Sequence, residues 1–82
     1  MKLLNLVNGL LTLAPYYDHG GEGYPLAADH DIIYATATDR PLSPEDVERM
    51  IGFGWFQPEV EYAGDEMTPS DYDPEESWAA YA

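Results

Sequence analysis

The first fourteen residues sort by chemistry when wound at 100° per residue. Lys2, Asn5, Asn8, Gly9 and Thr12 share one arc of roughly 120°, while Leu3, Leu4, Leu6, Val7, Leu10, Leu11, Leu13 and Ala14 fill the other side. This segregation predicts an amphipathic helix over residues 2–14, its leucine face on the core, stopped by Pro15. A secretory leader has no need of a polar arc, and Pro15 directly after Ala14 makes a poor cleavage point. The competing reading is a hairpin turning at Asn8-Gly9, but its flanks, LLNLV and LLTLA, do not alternate. No apolar run approaches the ~20 residues of a membrane span.

Residues 15–25, PYYDHGGEGYP, read as a loop framed by two prolines. The glycine spacing matches no nucleotide motif, and Asp18 and Glu22 repel phosphate. In residues 26–38, Ile32, Ile33, Tyr34, Thr36 and Thr38 carry the strongest strand signal, with Ile32 and Tyr34 on one face and Ile33 on the other. Residues 24–28 predict a short partner strand that Pro25 confines to an edge or an entry position. The second helix is announced by Leu42-Ser43-Pro44-Glu45-Asp46-Val47. Ser43 is its N-cap, Pro44 its first residue, and Glu45 and Asp46 face the positive end of the helix dipole. Leu42 and Val47 are spaced as a hydrophobic staple, Val47, Met50 and Ile51 form the buried stripe, and Gly52 and Gly54 offer stops. As a cap, Ser43 is worth about 1 kcal/mol.

Trp55-Phe56 then predicts a strand entering the core and continuing through Val60 and Tyr62, alternating with Glu59, Glu61 and Ala63. A long polar loop follows at about 63–76. The last residues, SWAAYA, predict a closing strand paired with 55–62. The sum is one small α+β domain over residues 1–82, two helices on a small, mostly antiparallel sheet in the order α-β-β-α-β-β.

Composition narrows the class. Hydrophobic residues make up 45% and aromatics 13% of 82 residues, too many for a disordered acidic chain. The absence of cysteine excludes disulfides and thiolate metal sites, which fits a reducing, intracellular setting. His19 and His30 are the only histidines and have no metal-ligand spacing. Asp71-Tyr72-Asp73-Pro74-Glu75-Glu76 invites a calcium reading. However, its sixth position is Glu76 rather than Gly and its twelfth is Ala82 rather than Glu, so it is no EF-hand and at most a weak calcium site. Ser43, Ser70 and Ser77 lie in no nucleophile motif, and a thin core leaves little room for a substrate pocket. The expectation is a non-enzymatic protein with no cofactor and no resident metal.

Charge changes the picture most. Sixteen Asp and Glu face three Lys and Arg, a net charge of −13. Residues 1–44 carry net −3 and residues 45–82 net −10, and eight acids lie between Glu59 and Glu76 with no base among them. A chain of this length folds to a diameter of roughly 30 Å, and that length of duplex DNA carries about 18 charges. The densities are comparable. Such acidity disfavours direct nucleic-acid binding and anionic membranes, and self-repulsion weakens the fold. A partner with a basic surface is the expected counterpart. Glu59, Glu61, Asp65, Glu66, Asp71, Asp73, Glu75 and Glu76 stand in for phosphates, with Tyr62 and Tyr72, alongside Trp78 and Tyr81, as aromatic anchors. These charges are expected to be dispensable for folding and necessary for binding.

The order HDIIY, LSPEDVERMIGFGWF and ESWAAYA resembles small acidic proteins of tailed bacteriophages, over residues 30–56 and 77–82. The acidic stretch 59–76 is longer than that pattern. The resemblance implies the cytoplasm of an infected bacterial host and a DNA-mimicking inhibitor of host defence, anti-CRISPR or anti-restriction, acting on a CRISPR effector or restriction-type complex. Two alternatives stand beside it. One is an adapter or structural phage protein that binds through its aromatic face. The other is a weak calcium binder.

Overall fold

In the computed structural model, described over residues 2–18, 26–29, 31–62 and 64–81, the elements run α1 (Leu3–Leu13), β1 (Leu26–Asp29), β2 (Ile32–Ala35), α2 (Pro44–Gly52) and β3 (Trp78–Tyr81). Short 3-10 turns occupy Ala14–Tyr16 and Pro69–Asp71. The α+β class holds. The strands form one antiparallel sheet in the order β1-β2-β3.

Strand signal across 26–38 resolves into a hairpin, Leu26 opposite Ala35 and Asp29 opposite Ile32, with Thr36 and Thr38 beyond its end. β2 pairs on its other side with β3, placing Ala35 opposite Trp78 and Ile33 opposite Ala80. Opposed residues share a face, so Ile33, Ala35, Trp78 and Ala80 form the inner face, and Ile32, Tyr34, Ala79 and Tyr81 form the outer one. The core gathers Ala35, Trp78 and Ala80 with Leu13, Leu42, Val47, Met50, Trp55 and Met67.

α2 forms as its local signals dictate. The Ser43 Oγ accepts the Asp46 N–H at 3.2 Å, Pro44 opens the helix, and Val47 and Met50 are buried. Gly54 turns the chain at φ 91°, a conformation that favours glycine. The expected strand over 55–62 does not form. Only Phe56 bridges Ala79, through two backbone hydrogen bonds of 3.0 and 2.7 Å, and the chain then turns at Pro58. Consequently β3 takes β2 as its full partner.

α1 also forms, but it buries only part of its leucine face. Gly9 and Leu13 are buried, Leu6 and Leu10 are half-buried, and Leu3, Leu4, Val7 and Leu11 are exposed, Leu3 by 75%. The helix is turned by a close approach. A Cβ on Gly9 would lie 1.9 Å from the Trp55 Nε1, and the indole N–H donates to the Asn5 carbonyl at 3.3 Å. The large indole ring is buried against the small, polar edge of the helix. That packing displaces half of the apolar arc into solvent.

The chain after α1 is pinned to the start of α2. The Tyr16 hydroxyl donates to the Asp46 carboxylate and accepts the Ser43 N–H at 3.1 Å. Beside it, Arg40 pairs with Asp18 at 2.7 Å and donates to the Pro15 carbonyl, and the Tyr17 hydroxyl donates to the Thr36 carbonyl at 2.6 Å.

Candidate partner-binding surface

The acidic stretch is built onto the body rather than looped away from it. Its organising residue is Gln57, which sequence reasoning passed over. Gln57 is 0% exposed and fully hydrogen-bonded. Its Nε2 donates to the carbonyls of Asp73 (2.6 Å) and Glu76 (3.2 Å), and its Oε1 accepts the Asp73 N–H at 2.9 Å. Its own carbonyl accepts the Tyr62 hydroxyl at 2.7 Å and the Val60 N–H at 3.3 Å. One buried amide thus ties the limb carrying Glu59 and Glu61 to the limb carrying Asp73, Glu75 and Glu76. The only hint in the sequence is a lone polar residue inside the apolar run GFGWFQP, directly before a proline.

Between these limbs, Met67 is buried in the core. The Asp71 carboxylate accepts both the Thr68 N–H (2.8 Å) and the Thr68 hydroxyl (3.0 Å) as the chain enters the 3-10 turn. Asp73 accepts the Glu75 N–H at 2.9 Å, closing a further turn. Residues 64–76 are irregular apart from the 3-10 turn at Pro69–Asp71, and they are tied to the body. They contribute a core side chain and hold their turns with their own carboxylates.

The anticipated binding residues divide accordingly. Glu59, Glu61, Asp65, Glu66 and Glu75 are exposed, whereas Asp71, Asp73 and Glu76 are half-buried and two of them hold backbone N–H groups. Tyr62 and Tyr72 are half-buried. The Tyr72 hydroxyl accepts the Leu42 N–H at 2.9 Å, and its ring stacks on Trp78 at 5.9 Å. Burial raises the hydroxyl pKa of both tyrosines, opposed by their backbone hydrogen bonds. Trp78 is buried, and only Tyr81, 56% exposed, presents much of its ring to solvent. It stacks on Phe56 at 5.3 Å on the outer face of the sheet.

Positive charge is scarce around this surface. No Lys, Arg or His follows Arg49 in the sequence. Arg49 itself pairs with Asp46 at 2.5 Å, and the Tyr16 hydrogen bond, then Arg49, hold the Asp46 carboxyl below the usual carboxylate range against the effect of burial. His19 and His30 lie outside the described residues. Among the described residues, no group of three or more potential ligands is placed to hold a metal ion, and no helix is long and apolar enough to cross a membrane.

Beside Tyr81 lies a groove of about 400 Å³, floored by Ile51, Trp55, Phe56 and Met67 and edged by Tyr62, Asp65 and Glu66. A second hollow of about 330 Å³ adjoins it at Gly54 and Tyr81 and reaches Asn5 of α1. No family model matches the chain, and no curated protein or solved structure matches it either.

Proposed function

We propose that this protein is a non-enzymatic inhibitor that occupies the Lys/Arg-rich nucleic-acid-binding surface of a host protein. The phage-type resemblance names a CRISPR effector or restriction-type complex as that host protein. One observation carries the reading: the base-free acidic stretch is folded against the core through Gln57, so its charges are presented in place. Ordered charges lose less entropy on docking than charges on a free tail. The scale also fits. The molecule measures 34 × 27 × 21 Å, and 34 Å of duplex carries about 20 charges against the protein's 13.

Affinity capture from a bacterial host lysate tests this. A nucleic-acid-binding protein should be retained at low salt and displaced by high salt or by a DNA oligonucleotide. Reversing Glu59, Glu61 and Glu75 to Lys should abolish retention. Capture of no such protein, or retention that survives the reversal, rejects the reading.

The exposed leucines of α1 favour a second reading, an adapter with an apolar contact. Its capture would tolerate high salt and be lost in Leu4→Glu/Leu11→Glu.

A further inference from the structure

We infer that the groove between Phe56, Tyr62, Met67 and Tyr81 receives an arginine side chain of the basic partner. This rests on the proposed function and names the contact that anchors it. The feature is the cavity. It is an open groove of about 400 Å³, large enough for one long side chain, and most of its wall is aromatic or aliphatic. An apolar hollow of this kind would suit a hydrophobic side chain except for its edge. Asp65 and Glu66 stand there exposed, in a region where the sequence supplies no cation from residue 50 onward. An apolar occupant would desolvate two carboxylates and leave them unpaired, which is costly. A cation on an apolar stem satisfies floor and edge together: the methylenes lie along Phe56 and Met67, and the charge reaches Asp65 and Glu66.

Between the two cationic side chains, the groove selects arginine. Its planar guanidinium stacks on an aromatic face while offering a fork of N–H donors to carboxylates, whereas a lysine ammonium is a compact, strongly hydrated point charge. Tyr81 provides the face. Its ring is more than half exposed and is held in place by the stack on Phe56. Tyr62 is held at the edge of the hollow by the hydrogen bond from its hydroxyl to the Gln57 carbonyl. An exposed aromatic beside a guanidinium contributes a cation–π attraction and, in an interface, is the kind of residue that carries binding energy.

The test uses the intact protein and three matched nine-residue peptides of glycine and serine with arginine, lysine or norleucine at the centre. Amide and ring resonances are followed on titration. With the arginine peptide, shifts should concentrate on Phe56, Tyr62, Asp65, Glu66 and Tyr81. The lysine peptide should bind about two- to five-fold more weakly, and the norleucine peptide should cause no saturable shift. Tyr81→Ala and Glu66→Gln should each weaken arginine-peptide binding about two- to five-fold. Glu48→Gln on α2 should leave it unchanged. Glu66 is exposed and has no hydrogen bond or ion pair among the described residues, so its variant remains informative if Tyr81→Ala fails to fold. Shifts spread evenly over Glu59, Glu61 and Glu75, equal binding of all three peptides, or full affinity in Glu66→Gln would overturn the inference. The outcomes also separate the two proposals. A groove that binds the arginine peptide in a protein that captures no nucleic-acid-binding partner rejects the inhibitor alone. A captured partner indifferent to Tyr81→Ala and Glu66→Gln rejects the groove alone.

Discussion

The first helix and the stretch from Gln57 to Glu76 each depart, in opposite directions, from what their compositions suggest. α1 is rich in leucine and has no acidic residue, yet Leu3, Leu4, Val7 and Leu11 face solvent. The later stretch carries eight carboxylates, yet it sends Met67 into the core and encloses Gln57 completely. What separates them is which side chains find a shaped partner. α1 has one decisive partner, the Trp55 indole, which fits only where the helix has no side chain. The acidic stretch has many backbone groups that a single amide satisfies. Within each segment, burial follows complementarity of shape and hydrogen bonding, and hydropathy alone does not pick out which side chains are enclosed.

The largest effect should come from removing the tie in the polar segment. In Gln57→Leu the volume is nearly kept, but the Asp73 and Glu76 carbonyls and the Asp73 N–H lose their partner. At ~1–3 kcal/mol for each buried orphan, the loss should be about 3–5 kcal/mol. Chemical denaturation measures it, and a loss under about 1 kcal/mol would show that solvent reaches these groups. For α1 the matched pair is Leu13→Ala, which opens a cavity and should cost about 3 kcal/mol, and Leu11→Ala, which should cost under about 0.5 kcal/mol. Equal costs would mean that the leucine arc is buried after all.

Gly9→Ala isolates the reason the helix faces as it does. Alanine is the better helix former by about 1 kcal/mol, so an unobstructed position would gain stability. The indole lies 1.9 Å from the new Cβ and is itself buried, and overpacking costs about 1–3 kcal/mol or more. Net destabilisation of about 2 kcal/mol is expected. Trp55→Leu should relieve part of it, and a double-mutant cycle would read the coupling.

The contrast between the two segments also explains what could be read without coordinates. The cap, first turn and stop of α2 are local chemistry, each within a few residues of the next, and all were legible. So was the helical period of α1. The direction in which α1 faces was not, because Gly9 and Trp55 are 46 positions apart and nothing in either neighbourhood announces their contact. The strand expected at 55–62 fails for a related reason. Trp55 and Phe56 have strand propensity, but Pro58 and the Gln57 hydrogen bonds turn the chain after a single bridge. At the candidate surface, the acids were visible as a run. Which of them hold turns depends on backbone N–H groups that the sequence does not point to.

Tyr16→Phe tests the clasp between the end of α1 and the start of α2. It removes a hydrogen bond to an ionised carboxylate and should cost about 1.5 kcal/mol near neutral pH. Asp46 has a lowered pKa in the fold, so its contribution is present above the ordinary value of 3.8 and is lost as the pH falls through the folded-state value. The gap in thermal midpoint between wild type and variant should therefore close on acidification below about pH 3.8. A gap independent of pH would mean that the hydroxyl acts through Ser43 alone.

The smallest effects decide whether the acidic run has one role or two. Asp71 closes the turn at Thr68, and Asp71→Ala should cost about 1 kcal/mol, the usual worth of a cap. Glu59, Glu61 and Glu75 are exposed, and their neutralisation to Gln relieves repulsion in a body carrying −13. The triple variant should be as stable as wild type or more so by up to about 0.5 kcal/mol, with the difference shrinking as salt is raised. The same triple variant should lose most of its affinity for a basic partner, whereas Asp71→Ala should lose affinity only in proportion to its loss of fold. If the two variants move stability and binding together, the run is a single structural unit. If they separate, five exposed carboxylates carry the interaction on a frame built by Gln57, Asp71 and Asp73.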